Sequence, residues 1–327
     1  MSLKIITVVL FAGGAALLTP DPHAKPAALD VTVMDEVGIP VPNAIVHANR
    51  ARWIYTRPIL RNLLVKTGFL DINYERWEML GEWVTNNKGF VKLRFRSFGF
   101  PRGISAVKNE YYTSRIPIKH EGDWRSPRLL PYPMKKTVVL KKIRNPIPLI
   151  VTAFHEFKWP GSLDEPIGFD MVRSDWMPPH GRGEHEDVQF LITLKSDVEL
   201  SKNFGILTVS IIGENNGLVS ILKKQMTPDS SLTFPNTAPL EGYINIPIIV
   251  DVLKSANDKI QNHFFRIRTE LDEHDNVVSA LYGRMEYIHN SIMGFKTLRF
   301  YYWLNPTPND CNLEWDGKTN LFQDTTK

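Results

Sequence analysis

The chain has 327 residues and a mass of 37.5 kDa, with 43% hydrophobic, 11% aromatic and 23% charged residues. That length outgrows a single core of about 250–300 residues, and the aromatic content excludes a disordered chain, which buries too little to offset its ordering entropy. The 23 Pro and 20 Gly are scattered, which excludes collagen-like and low-complexity architectures, and the formal charge of +4 is the balance of two unlike halves.

Lys4 precedes an apolar run from Ile5 to Leu18 that is shorter than the ~20 residues of a membrane-crossing helix. A positive charge, a short apolar run, small residues at Gly14 and Ala16 and then a Pro-rich stretch are the layout of a secretory leader. Residues 1–24 are therefore expected to be a signal peptide and lead-in. An uncleaved anchor and a buried first strand are the alternatives. No later stretch approaches transmembrane length, so no stable span is expected once the leader is removed. Export to the periplasm, the cell surface or the medium is the expected location.

From residue 29 onward the pattern has the period of a half-buried strand. Leu29, Val31 and Val33 alternate with Asp30 and Thr32, and Ala44, Val46 and Ala48 alternate with Ile45, His47 and Asn49. Turn signals at Asp35–Gly38 and Asn86–Gly89 separate short strands that continue through Phe90–Arg96, Ile104–Val107, Ser114–Ile118 and Thr137–Lys141. Short strands at this spacing predict an antiparallel sandwich.

The block from Val31 to Val46, with Asp35-Glu-Val-Gly38 and Pro40-Val-Pro-Asn-Ala44, carries a resemblance. So do Thr85-Asn-Asn-Lys-Gly89, Tyr111-Tyr-Thr-Ser-Arg115 and Val138-Val-Leu-Lys-Lys142. Over residues 28–143 the chain resembles the carboxypeptidase regulatory-like domain, a transthyretin-like (Ig-like) β-sandwich. The resemblance implies a non-catalytic accessory or adhesive role and transfers no catalytic residue. Two departures stand out: a long insert at residues 50–83, and Asn109-Glu110 where the family carries a tight Gly before Tyr111.

The insert interleaves Trp53, Tyr55, Trp77 and Trp83 with Arg50, Arg52, Arg57, Arg61 and Arg76. Such aromatics could stack on sugar rings; a local apolar cluster covered by arginine stems is the plainer account. An exported chain makes nucleic acid an unexpected partner. Arg144-Asn-Pro-Ile-Pro148 reads as an inter-domain joint, stiffened by its two prolines.

Residues 147–327 predict a second, larger β-rich domain, a sandwich for which a jelly roll is one form. Candidate strands are Leu149–Phe157, Val188–Leu194, Ile206–Ile212, Val219–Leu222, Phe264–Leu271, Val277–Met285 and Leu298–Leu304. The second and third from the end form a hairpin across Asp272–Asn276. Ile249–Gln261 has partial helical spacing, enough for one short helix. The combined layout also resembles uncharacterised exported proteins of Gram-negative bacteria.

The densest polar stretch is Asp175–Asp187, with His180, Arg182 and His185. His180, His185 and Asp187 are the candidate metal ligands, for zinc or calcium, although Pro and Gly make the stretch a loop whose spacing matches no established site. A resident cofactor is not expected. Alternation would put His185 and Asp187 on one face of the strand that follows. Trp159, Trp176 and Arg182 are candidate ligand contacts, with core packing as the plainer role for the tryptophans. Cys311, the single cysteine, cannot form an internal disulfide and sits in a turn-rich segment without a nucleophile signature.

Residues 25–146 hold 22 Lys and Arg against 10 Asp and Glu; residues 147–327 hold 16 against 24. A net charge of +12 beside one of −8 points either to an anionic partner, or to mutual attraction between the halves or simply two solvated surfaces. The functional expectation is a non-catalytic binding or structural protein of the bacterial envelope that recognises a glycan or a protein. A secreted glycan hydrolase, working through carboxylates of the acidic half, is the alternative.

Overall fold

A computed structural model describes residues 25–53, 75–97, 103–118, 133–153, 155–197, 202–222, 227, 229–230, 232–251, 262–290 and 297–322. The leader assigned to residues 1–24 lies outside them. The fold is all-β. The chain divides into two compact units, the first ending at Lys141 and taking in Asp229–Ser231, the second formed by Lys142–Pro228 and Leu232–Lys327.

The first unit contains β1 (Lys25–Asp35), β2 (Ile45–Trp53), β3 (Glu75–Val84), β4 (Phe90–Ser97), β5 (Gly103–Val107), β6 (Ser114–Pro117) and β7 (Met134–Leu140). One sheet has the order β4-β1-β7, with β1 antiparallel to β4 and parallel to β7; the other has the order β3-β2-β5-β6. Alternation does the sorting. Leu29, Val31 and Val33 from one sheet and Val46, Ala48, Ile104 and Ala106 from the other are fully buried together. Thr85 locks the connection between β3 and β4 by donating from Oγ1 to the Val41 carbonyl and accepting from the Ala44 amide, both at 2.8 Å.

Part of the expected insert is strand. β2 runs to Trp53 and β3 starts at Glu75, paired from Trp53–Glu75 to Ile45–Val84 with one register shift after Ala48. Alternating charged and apolar residues in both arms supply the strand period, and the register sets Arg50 opposite Glu78. Residues 54–74 lie outside the described residues.

The second unit contains β8 (Ile147–Val151), β9 (Phe157–Lys158), β10 (Ile167–Asp170), β11 (Asp175–Trp176), β12 (Val188–Asp197) and β13 (Lys202–Ile211). It continues with β14 (Gly217–Ser220), β15 (Ile248–Asp251), β16 (His263–Leu271), β17 (Val277–Asn290), β18 (Thr297–Asn305) and β19 (Trp315–Asn320). A five-stranded sheet, β11-β10-β12-β13-β15, faces a larger one ordered β14-β16-β17-β18-β8-β19, with β9 on β18. Between them lies an aromatic core in which Phe157, Phe169, Trp176, Phe190 and Phe300 meet edge to face. The larger sheet is buried on its other face too, where Phe264, Ala280 and Tyr282 pack with Ile221, Ala238 and Leu313.

Three boundaries differ from the sequence expectation. The strand expected over Leu149–Phe157 breaks into β8 and β9, because Thr152 turns inward to bond the Phe300 carbonyl and the Tyr302 amide. The helix expected from Ile249 begins instead within β15, which pairs with β13; residues 252–261 lie outside the described residues. The expected joint belongs to the second unit. The Arg144 and Asn145 amides donate to the two oxygens of buried Glu314 at 2.8 and 2.9 Å, and the Ile147 amide donates to its carbonyl at 2.8 Å.

Candidate functional site

Asp170, at the end of β10, organises the loop that holds most of the candidate residues. Its Oδ1 accepts the Val172 and Arg173 amides at 3.0 and 2.9 Å, and its Oδ2 accepts those of Glu184 and His185 at 3.0 and 3.1 Å. One carboxylate therefore ties down both ends of the loop. Arg268 of β16, held at φ +52° where the register with β17 shifts, reaches across to the same group from Nη2 at 2.8 Å and also binds Asp187. Burial alone would raise the Asp170 pKa, but the backbone donors and the Arg268 charge outweigh it and hold the carboxyl below its usual range. Burial pushes the Asp187 carboxyl up, against the opposing pull of Arg268. The Tyr302 hydroxyl donates to the Met171 carbonyl at 2.8 Å and lies 2.8 Å from Ser174 Oγ, which fixes the loop from below.

This scaffold presents Arg173, Asp175 and Arg182 along a groove of about 520 Å³, with walls of Ile150, Val172, Pro306 and Leu321. Asp175 is spent on local order: Oδ1 accepts the Trp176 amide at 2.8 Å and Oδ2 the Arg182 amide at 3.1 Å. The Arg182 guanidinium stands 3.9 Å from Asp175, and Arg173 pairs with Glu184. Gly181 is obligatory for the turn, since a Cβ there would sit 2.4 Å from the Trp176 carbonyl oxygen. Two half-exposed to exposed guanidinium groups beside an apolar floor can bind a carboxylate or phosphate carried on a less polar body.

The structure separates the candidate metal ligands. β12 begins only at Val188, so the alternation expected for His185 and Asp187 does not start early enough: His185 is exposed while Asp187 is buried against Arg268. His180 is exposed as well. Among the described residues, no three His, Cys, Asp or Glu side chains converge as a metal-holding group. The acids of the β16–β17 turn have a local task, since Asp272 accepts the His274 and Asn276 amides at 2.8 Å each.

Trp176 is a core residue whose ring is enclosed by Phe157, Phe169 and Phe190; Trp159 meets it edge to face at 5.7 Å and is half-buried. The two do not form an open platform. Trp53 and Trp77 fall in the paired arms of β2 and β3, but their side chains, and all of Tyr55, lie outside the described residues. Cys311 is half-buried, and burial with the nearby Asp310 charge pushes its thiol up, away from the reactive thiolate. Of the candidates among the described residues, Arg182 alone lines the groove. Arg173 and Arg268 were missed, because a lone arginine in a loop or an alternating strand carries no motif.

No protein-family model matches the chain, and no curated protein matches it either.

Proposed function

We propose that the protein is an exported, non-catalytic binding protein of a bacterial envelope. In this reading its first unit is a carboxypeptidase regulatory-like accessory sandwich, and its second unit recognises a glycan or a protein segment bearing an anionic group. Seven strands in two facing sheets support the first part. The observation that carries the second is the Arg173–Arg182 groove, a preformed cleft whose cationic groups stand on a loop fixed from within by Asp170.

The acids of the same unit favour binding over hydrolysis. Asp170 and Asp187 are brought together, but both are buried and bridged by one guanidinium, which leaves no open gap for a glycosidic bond. Asp175 and Glu314 are likewise committed to backbone amides.

A binding screen of the mature protein against envelope glycans and envelope extract tests the proposal. Retention that falls about tenfold or more in an Arg173→Ala/Arg182→Ala protein is expected. Release of new reducing ends from any glycan in the screen would replace it with the hydrolase reading.

A further inference from the structure

The solvent face of the β4-β1-β7 sheet carries charged and hydroxyl side chains in rows. Leu29, Val31 and Leu93 point into the core, so Asp30, Thr32, Lys92 and Arg94 point out. The register makes two rows across the three strands. Lys92, Asp30 and Lys135 form one row, and Phe90, Thr32 and Thr137 form the next. These six side chains, with Lys136, line a shallow trough of about 600 Å³.

The charges in this trough are unevenly spent. Arg94 donates to Asp30 Oδ1 from both terminal nitrogens, at 3.2 and 3.1 Å, and so cancels the one acid on the face. Lys92, Lys135 and Lys136 are held by no ion pair among the described residues, and Lys92 and Lys135 are exposed. Two strand spacings put the Lys92 and Lys135 backbones ~10 Å apart on either side of Asp30, with the Thr32–Thr137 pair in the neighbouring row. The half of the chain that contains this sheet carries the net charge of +12.

We propose that this face binds a linear polyanionic polysaccharide, one carrying carboxylates at intervals along a hydroxyl-rich chain. The inference rests on the binding reading above and adds a second surface and a ligand class to it. Separated ammonium groups on a sheet face suit charges that recur along an extended chain, and the threonine hydroxyls of the neighbouring row can exchange hydrogen bonds with its sugar hydroxyls. The one arginine described on this face is engaged by Asp30, so the remaining cations are ammonium point charges rather than a planar fork of the kind that grips a single phosphate bidentately. A protein partner would call for a desolvated apolar anchor, and Phe90, half-buried, is the single aromatic in the trough.

The test is calorimetric titration of the full mature chain with a short linear oligogalacturonate. The same oligosaccharide as its methyl ester and vesicles of phosphatidylglycerol serve as parallel arms. Binding of the free acid is expected, weakening about tenfold or more between about 50 and 300 mM salt, with little binding of the ester. Lys92→Gln/Lys135→Gln is expected to lose about tenfold or more in affinity, whereas Lys108→Gln/Arg115→Gln, which removes equal charge away from the trough, is expected to lose less than about twofold. Equal losses in the two double variants, equal binding of acid and ester, or binding of the vesicles alone would each overturn the inference. Because the Arg173→Ala/Arg182→Ala protein keeps this sheet intact, unchanged oligogalacturonate binding by that variant would support it. If the protein retains other envelope ligands but ignores the oligogalacturonate, this inference fails while the binding reading stands.

Discussion

Arg268 donates from Nε and Nη2 to the two oxygens of Asp187, 2.9 Å each, in a bidentate fork that joins the two sheets of the second unit. Asp187 immediately precedes β12 of the five-stranded sheet and Arg268 belongs to β16 of the larger one. Nη2 also serves Asp170, so one guanidinium bridges two carboxylates that are each about 98–99% enclosed as side chains.

Removing that cation strands two buried anions. Arg268→Gln is expected to lower the unfolding free energy by about 3–5 kcal/mol, measured by urea denaturation at neutral pH. Arg268→Lys, which keeps the charge without the planar fork, is expected to recover part of the loss. A loss below about 1 kcal/mol for Arg268→Gln would show that the fork is not structural.

Gly89 lies at φ +65°, and a Cβ there would come within 2.4 Å of the Val33 carbonyl oxygen and 3.0 Å of the Val41 amide. Its own carbonyl accepts the Val33 amide at 2.7 Å, so the backbone cannot withdraw without breaking the link between this turn and β1. Gly89→Ala is expected to cost about 2 kcal/mol or more, read as a lowered thermal midpoint. Gly38→Ala is the comparison: φ is +87° there, but no atom lies within 4 Å of the added methyl, so a smaller cost is expected.

The segment from Arg144 to Ile147 is held through Glu314. Glu314→Ala leaves two amides without their carboxylate and frees the backbone next to Lys142 and Arg144. Limited trypsin digestion should then cut there about tenfold faster or more, while the thermal midpoint falls modestly. Unchanged cleavage would mean that the prolines alone hold the segment.

The parts of the fold that were legible in the sequence are those fixed locally. Alternation at Leu29–Val33 and at Phe265–Leu271, and turn chemistry at Asn86–Gly89 and Asp272–Asn276, predict strands and hairpins, and the structure has them. The site was legible only at Arg182. Whether Asp187 binds a metal or an arginine depends on Arg268, which lies 81 residues away in sequence and has no local signature. The same holds for Trp176, whose aromatic neighbours Phe157, Phe169 and Phe190 come from three other strands. Burial is a property of the assembled sheets, so exposed and enclosed tryptophans read alike in one dimension.

His263 offers a pH test. Its imidazole is buried at the start of β16, with Nδ1 3.4 Å from Ser220 Oγ and Nε2 without a hydrogen-bond partner. Burial holds its pKa below the ordinary 6.5. The unfolded chain therefore takes up a proton at higher pH than the folded one. The contribution to stability is complete above pH 6.5 and is lost as pH falls from there toward the lowered folded value. In urea denaturation between about pH 7 and 5, the parent should lose stability through this group by up to about 1.4 kcal/mol per pH unit. His263→Phe removes both the titration and the unpaired nitrogen, so its profile over the same range should be flatter by that amount. Parallel profiles for the two proteins would place the acid sensitivity elsewhere and leave His263 a silent member of the core.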